Sequence, residues 1–356
     1  MEIINVNLKN YSYPIYISNG ILANIGQYLK NHLRSRRVII VTDSNVSNIY
    51  LQKVENTLSK DGFVVNHSVI KAGEESKNLD TVKRLLEECF AFGLLRDSAV
   101  LALGGGVVGD IAGLVAALYM RGIDFIQIPT TLLAQVDSSV GGKVGVNLDE
   151  GKNIAGTFYQ PKAVFIDTSV LKTLNRREVL GGISEIIKYG IIKDESLLDF
   201  FEINMGKILN LDDDMMKYLI KRSCEIKSDV VSKDEKENNI RAVLNYGHTI
   251  GHALESITQY KKYIHGEAVA IGMYYAAKIA LNRRYIDESY LLRIKNLLVS
   301  SGLPVDYGNI DKYEIVEGIK HDKKNREGKI KFVLPVGHGN AEIFDILEEE
   351  ILNVLN

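Results

Sequence analysis

Residues 37–42 (RVIIVT) carry four consecutive apolar positions and stop at Asp43-Ser44-Asn45, the pattern of a strand buried on both faces. A helix-like run follows over 46–60, then a strand at 63–70, a polar loop KAGEESKN, a helix over 79–92 and a second buried strand at 98–103. This β–α–β–α order predicts a parallel sheet with helices on both faces. The N-terminal MEIINVNLKNYSYPIYI alternates as a strand, and IDFIQIPTT reads as another. Residues 129–161 are rich in Gly, Ser and Thr and read as a long functional loop. From Arg177 onward the pattern is almost wholly helical, with a hairpin-like KIKFVLPVG at 329–337 and an amphipathic helix over 343–355. The expectation is an α/β N-terminal domain with a parallel nucleotide-binding sheet over 1–176. A mostly α-helical C-terminal domain would follow over 177–356.

The 356-residue length suits two domains. With 43 basic against 45 acidic residues, the net charge of −2 gives no sign of a nucleic-acid or membrane-surface partner. Cys89 and Cys224 both fall in helix-like segments, so a disulfide framework is not expected and a reducing cytoplasm fits. The N-terminus lacks the apolar core of a signal peptide. The longest apolar stretch, Ala99 to Met120, is broken by glycines and Asp110, so it does not read as a membrane span.

Strand 98–103 runs into GGGVVGD (Gly104 to Asp110) and a small-residue helix, which is how a phosphate-binding turn is built from unpaired backbone N–H groups. Gly104, Gly106 and Gly109 match GxGxxG. The acidic residue about twenty positions on, Asp124, begins a strand rather than ending one, which departs from the usual dinucleotide layout. Asp43, at the end of an earlier strand, is better placed for a ribose. The stretch 129–161 carries Asp137, Lys143, Lys152 and Asn153, and its two lysines, set among glycines and hydroxyls, suit a phosphorylated ligand. Ile220, Cys224, Lys227 and Val231 follow one helical stripe, so Lys227 either snorkels to water or is held for an anionic substrate.

Three of the seven histidines lie in RAVLNYGHTIGHALESITQYKKYIHGE, residues 241–267. His248 and His252 are one helical turn apart, and His265 follows with Gly266-Glu267. Position 249 is Thr, so the zinc-protease pattern HExxH is absent. A carboxylate elsewhere would complete a metal site, and Glu185, flanked by Ile183, Ile186 and Ile187 and three residues before Lys188, is a candidate for burial beside an ion.

GGGVVGD, RGIDFIQIPTTLLAQVDSSVGGKVGVN, LGGISEIIKYG, DVVSKDEKENNIRAVLNYGHTIGHALE and HGEAVAIGM, in this order along nearly the whole chain, resemble 3-dehydroquinate synthases. That family makes 3-dehydroquinate from a seven-carbon keto sugar acid phosphate (DAHP) in the shikimate pathway, using NAD and one divalent ion, zinc or cobalt. The resemblance implies metal ligands Glu185, His248 and His265. For NAD it implies Asp43, Glu74, Lys77, Gly105, Gly106, Asp110, Thr130, Thr131, Lys143, Lys152 and Thr173. For substrate it implies Asp137, Lys143, Asn153, Lys188, Lys227, Arg241, Asn245 and His252, with Lys323 of the DKK segment. Arg121 matches an arginine that reaches the neighbouring subunit's site, implying a homodimer. Related cyclases giving valiolone or deoxy-inosose products share the nucleotide and metal sites but act on substrates without a carboxylate. The Arg241 and Lys227 pair is the feature that separates them. A metal-dependent polyol dehydrogenase is a further alternative, and it would produce net NADH.

Overall fold

The computed structural model describes residues 1–149, 151–237, 240–321 and 330–356. The chain divides into two compact units, one of residues 1–174 with 227–236, the other of 175–226 with 237–356.

The first unit holds β1 (Glu2–Asn7), β2 (Ser12–Ser18), β3 (Arg37–Asp43), β4 (Val64–Ile70), β5 (Ala99–Gly104), β6 (Asp124–Pro129), β7 (Lys143–Leu148), β8 (Gly151–Phe158) and β9 (Ala163–Asp167). Its helices are α1 (Ile25–Leu29), α2 (Ser44–Val46), α3 (Gln52–Lys60), α4 (Leu79–Ala91) and α5 (Gly106–Leu118). Seven strands form one sheet in the order β1-β2-β9-β6-β5-β3-β4, parallel from β2 to β4, with β1 antiparallel at one edge. Because β3 is flanked by β4 on one side and β5 on the other, the strand order reverses between β3 and β5. Ligands of open α/β sheets bind at the carboxyl ends of strands at such a point. Apolar residues cover both faces: Val41, Val100 and Ile111 belong to one cluster, Ile40, Leu101 and Phe165 to the other.

The expected long loop at 129–161 instead contains an antiparallel hairpin of β7 and β8. Its glycines serve close packing. A Cβ on Gly113 of α5 would lie 2.3 Å from Val144 Cγ1, and one on Gly156 would lie 2.4 Å from the Val144 carbonyl oxygen. Val144, Gly145 and Val146 are buried and Lys143 is exposed.

The second unit contains α6 (Arg176–Lys193), α7 (Glu195–Leu209), most of α8 (Asp213–Lys233), α9 (His248–Ile257), α10 (His265–Asn282), α11 (Glu288–Ser300), α12 (Lys312–His321) and α13 (Glu348–Val354). The hairpin-like segment is borne out as β10 (Ile330–Pro335), but its partner is β11 (Ala341–Ile346). The amphipathic helix expected over 343–355 therefore begins only at Glu348. AEIFDI is a short apolar run with no period of its own to favour helix, and pairing with β10 decides it. No helix among the described residues is long and apolar enough to cross a membrane.

Candidate metal centre and nucleotide turn

Glycine contacts bring three helices of the second unit together. A Cβ on Gly266 would fall 2.2 Å from the Gly181 carbonyl oxygen, so α10 meets α6 backbone to backbone. A Cβ on Gly272 would fall 1.9 Å from the Gly247 carbonyl oxygen, and one on Gly251 would fall 3.1 Å from Ala268, so α9 meets α10 in the same way. Glu185 lies one turn beyond Gly181 on α6. His248 opens α9 behind Gly247, whose φ of 81° is left-handed, and His265 opens α10. Glu267 supports that last position: its side chain accepts from the Ile264 N–H and pairs with both Nε and NH2 of Arg177 at 2.6 Å.

One ligand atom each from Glu185, His248 and His265 lies within 4.8 Å of the others. The Nε2 atoms of both histidines are 3.8 Å from the same oxygen, Glu185 Oε1. Bonds of about 2.0–2.1 Å at tetrahedral angles place donors roughly 3.3 Å apart, so each histidine stands about half an ångström beyond that spacing from the Glu185 oxygen. Glu185 is fully buried, and neither carboxylate oxygen has a hydrogen-bond partner. The Lys188 ammonium packs against Oε2 as an ion pair without hydrogen-bond geometry. A buried carboxylate without hydrogen bonds is costly unless a cation answers it. Burial holds the His248 imidazole well below its ordinary 6.5, with Lys188, His265 and His252 adding to the effect, so it stands neutral and ready to ligate. These residues fit a two-histidine, one-carboxylate divalent centre with open positions for substrate oxygens.

His252 is exposed, its ring 5.3 Å from that of His248, and forms a second trio with Glu255 and His265. Arg241 and Asn245 sit in a 3₁₀ segment, Ile240–Asn245, packed on α6 and the β10–β11 hairpin. Arg241 is 2% exposed, and Asn245 donates to Glu237 Oε1 at 2.8 Å.

In the first unit, β5 ends at Gly104 and α5 begins at Gly106, with Gly105 between them. A Cβ on Gly105 would come within 3.0 Å of Thr131, and one on Gly106 within 3.1 Å of Ser138 Oγ, so the turn has no room for side chains. Asp43 ends β3 at the neighbouring strand end, and its Oδ1 caps α2 through the Asn45 and Val46 N–H groups. Asp124 does begin β6, away from that end. Lys77 ties the loops together: its Nζ is 2.5 Å from both Asp110 Oδ2 and Asn153 Oδ1. Glu74 accepts from Asn147 at 2.8 Å and lies 3.9 Å from Lys152 Nζ. The Thr130 hydroxyl is buried and has no hydrogen-bond partner, Thr131 caps the turn after β6, and Thr173 bonds the Tyr50 hydroxyl at 2.7 Å. Lys227 does not snorkel: it is 6% exposed and donates to the Asp137 carboxylate at 2.9 Å and to its carbonyl at 2.6 Å. Arg121 is exposed with φ 67°, directly after Met120 at φ 47°. Lys323 lies outside the described residues.

Lys77→Met strips the nearby cation from Asp110, whose carboxyl burial already pushes upward. The expected loss is about 1–3 kcal/mol, less than for a wholly buried pair because Asp110 keeps a fifth of its exposure. Urea unfolding checks this, and an unchanged midpoint contradicts it.

Two kinds of residue escaped the sequence reading. Asn147 holds the Glu74 side chain and accepts from the Asn153 N–H at 2.9 Å. Glu255 accepts from His265 Nδ1 at 3.2 Å. The latter left a signal: Glu255 is seven residues after His248, two turns along the same helical face.

A parallel sheet with a glycine turn at its switch point, joined in one chain to a helical unit bearing an open two-histidine, one-carboxylate centre, defines a class of metal- and nucleotide-dependent enzymes. Residues 67–181 match the model of the 3-dehydroquinate synthase N-terminal domain and residues 182–325 that of the C-terminal domain. A 3-dehydroquinate synthase of Caldanaerobacter subterraneus subsp. tengcongensis is 60% identical over 355 residues, covering 100% of both chains. The chain belongs to the 3-dehydroquinate synthase family. Among solved structures, a 2-deoxy-scyllo-inosose synthase complexed with carbaglucose-6-phosphate, NAD+ and Co2+ matches with a TM-score of 0.91 and 29% identity, covering 99% of each chain. A 2-epi-5-epi-valiolone synthase from Streptomyces hygroscopicus subsp. jinggangensis, with NAD+ and Zn2+ bound, matches at 0.90 and 30%, covering 98% of this chain and 97% of its own.

Proposed function

We propose that this chain converts 3-deoxy-D-arabino-heptulosonate 7-phosphate to 3-dehydroquinate and phosphate, as a phosphate-eliminating lyase of aromatic amino acid biosynthesis. The observation that carries the reading is the convergence of Glu185, His248 and His265, one ligand atom of each lying within 4.8 Å of the others. The full-length relatives support the choice of substrate. When bound, NAD supplies a reversible oxidation of the C5 hydroxyl, and the divalent ion, zinc or cobalt, supplies Lewis acidity to the hydroxyl and ketone oxygens.

The chain's own residues bind and orient. Glu185, His248 and His265 hold the ion. Asp43 meets a ribose, while Gly105, Gly106 and the α5 N–H groups receive the pyrophosphate. Glu74, Lys77, Asp110, Thr130, Thr131, Lys143, Lys152 and Thr173 complete the nucleotide site. Arg241 and Lys227 pair with the substrate carboxylate, Asp137 holding the lysine in place. Lys143, Asn153, Lys188, Asn245 and His252 receive the phosphate, and His252 is a proton relay rather than a ligand. Arg121 serves the site of a second subunit, so the enzyme acts as a homodimer, and its place is the cytoplasm.

Arg241→Lys keeps the charge but loses the two-pronged hold on a carboxylate. KM for DAHP is expected to rise about tenfold or more, while a carboxylate-free sugar phosphate is handled no worse. A variant with unchanged discrimination would assign the chain to the inosose- or valiolone-forming cyclases that share its fold.

A further inference from the structure

The two histidines of the metal centre are held from behind by different groups. His248 Nδ1 faces the Tyr246 carbonyl oxygen at 3.1 Å, a neutral acceptor. His265 Nδ1 faces Glu255 Oε2 at 3.2 Å, a carboxylate that is itself 3% exposed. In both rings Nε2 is then the atom turned toward Glu185. A proton on Nδ1 donated backward leaves the Nε2 lone pair forward, so the partner behind fixes both tautomer and ring orientation.

We infer that Glu255 is a positioning residue of the metal centre, holding His265 with Nε2 toward the ion and strengthening it as a donor. The inference rests on the metal reading proposed above. The two supports are unequal by construction. His248 is 11% exposed on its side chain and already restrained by burial and by its place at the start of α9. His265 is 29% exposed and has more freedom to turn. The more exposed ligand is the one given a charged partner. Glu255 sits on α9 while His265 opens α10, so the bond also joins the two helices on which the centre depends. A carboxylate behind the ring raises the electron density at Nε2 more than a carbonyl does, and it offsets part of the ion's charge in a buried setting. The alternative trio of His252, Glu255 and His265 would need Glu255 as a direct ligand. Here Glu255 Oε2 is instead the hydrogen-bond partner of His265 Nδ1, while Nε2 of the same ring faces Glu185.

The test is Zn2+ affinity of the full chain, stripped of metal and titrated against a chromophoric chelator, with Co2+ ligand-field absorption as a second readout. Glu255→Gln keeps an acceptor but loses the charge, and is expected to weaken Zn2+ binding about tenfold. Glu255→Ala loses both and is expected to weaken it about a hundredfold. Thermal unfolding of the metal-free Gln variant should stay close to that of the unsubstituted chain. Wild-type affinity in a folded Gln variant overturns the proposal, and that variant alone decides if the Ala variant fails to fold. A fall in affinity matched by an equal fall in metal-free stability overturns it in favour of a packing role. Binding abolished by Glu255→Gln yet retained by His248→Ala overturns it in favour of Glu255 as a ligand. Should the unsubstituted chain itself take up no ion, the metal reading fails and this proposal with it.

Discussion

Glu185→Gln is expected to lower phosphate release on the order of 10³-fold and to leave the purified protein without stoichiometric metal. The side chain is isosteric, so the fold has no steric reason to change. What changes is charge. Glu185 is the sole anion of the trio with His248 and His265, and it is completely buried, with the Lys188 ammonium against it. Removing its charge leaves the trio with two imidazoles and no anion to face a divalent ion. Breaking a buried ion pair by removing one partner is destabilising by about 3–5 kcal/mol, so the metal-free variant should also unfold at lower urea. Circular dichroism, metal analysis and a phosphate assay check the three consequences together. A folded variant that keeps a tenth of the activity with bound metal would contradict the assignment.

Gly266→Ala has the second largest expected effect, though it touches no ligand. The new methyl would lie 2.2 Å from the Gly181 carbonyl oxygen and 2.4 Å from its Cα. Both are backbone atoms that cannot rotate away, so α6 and α10 must separate by roughly an ångström. Overpacking of this kind costs about 1–3 kcal/mol. Because Glu185 and His265 ride on those two helices, the ligands separate as well, and an ångström at a reacting centre costs about 10²-fold in rate. Gly206 is the control. It lies exposed within α7, with nothing inside 4 Å of an added Cβ, so Gly206→Ala should stabilise by about 0.5–1 kcal/mol and leave activity alone. Equal behaviour of the two alanine variants in urea and in the phosphate assay would contradict the packing argument.

Elements whose signal is local were legible in the sequence. The buried strands at 37–42 and 98–103, the glycine turn between β5 and α5 and the burial of Glu185 among isoleucines all appear as expected, whereas the stripe holding Lys227 left open whether its head reaches water. Elements fixed by distant partners were not. The β7–β8 ribbon looked like a loop because Gly145 and Gly156 let its two strands approach closely and Gly113 of α5 makes room for Val144, which composition alone cannot show. β11 was read as helix because its strand partner is β10, not a period within itself. The centre was visible as three histidines and a carboxylate. The Gly181–Gly266 and Gly247–Gly272 approaches that assemble it, and the Glu255 bond behind His265, exist only once the helices pack.

The most direct test of the account is phosphate release from DAHP by the full chain with catalytic NAD and zinc or cobalt, followed alongside NADH absorbance. The predicted result is one phosphate released per DAHP consumed, dependent on both cofactors, with no net NADH. NADH accumulating in step with substrate, or phosphate released only from sugar phosphates that lack a carboxylate, would contradict it.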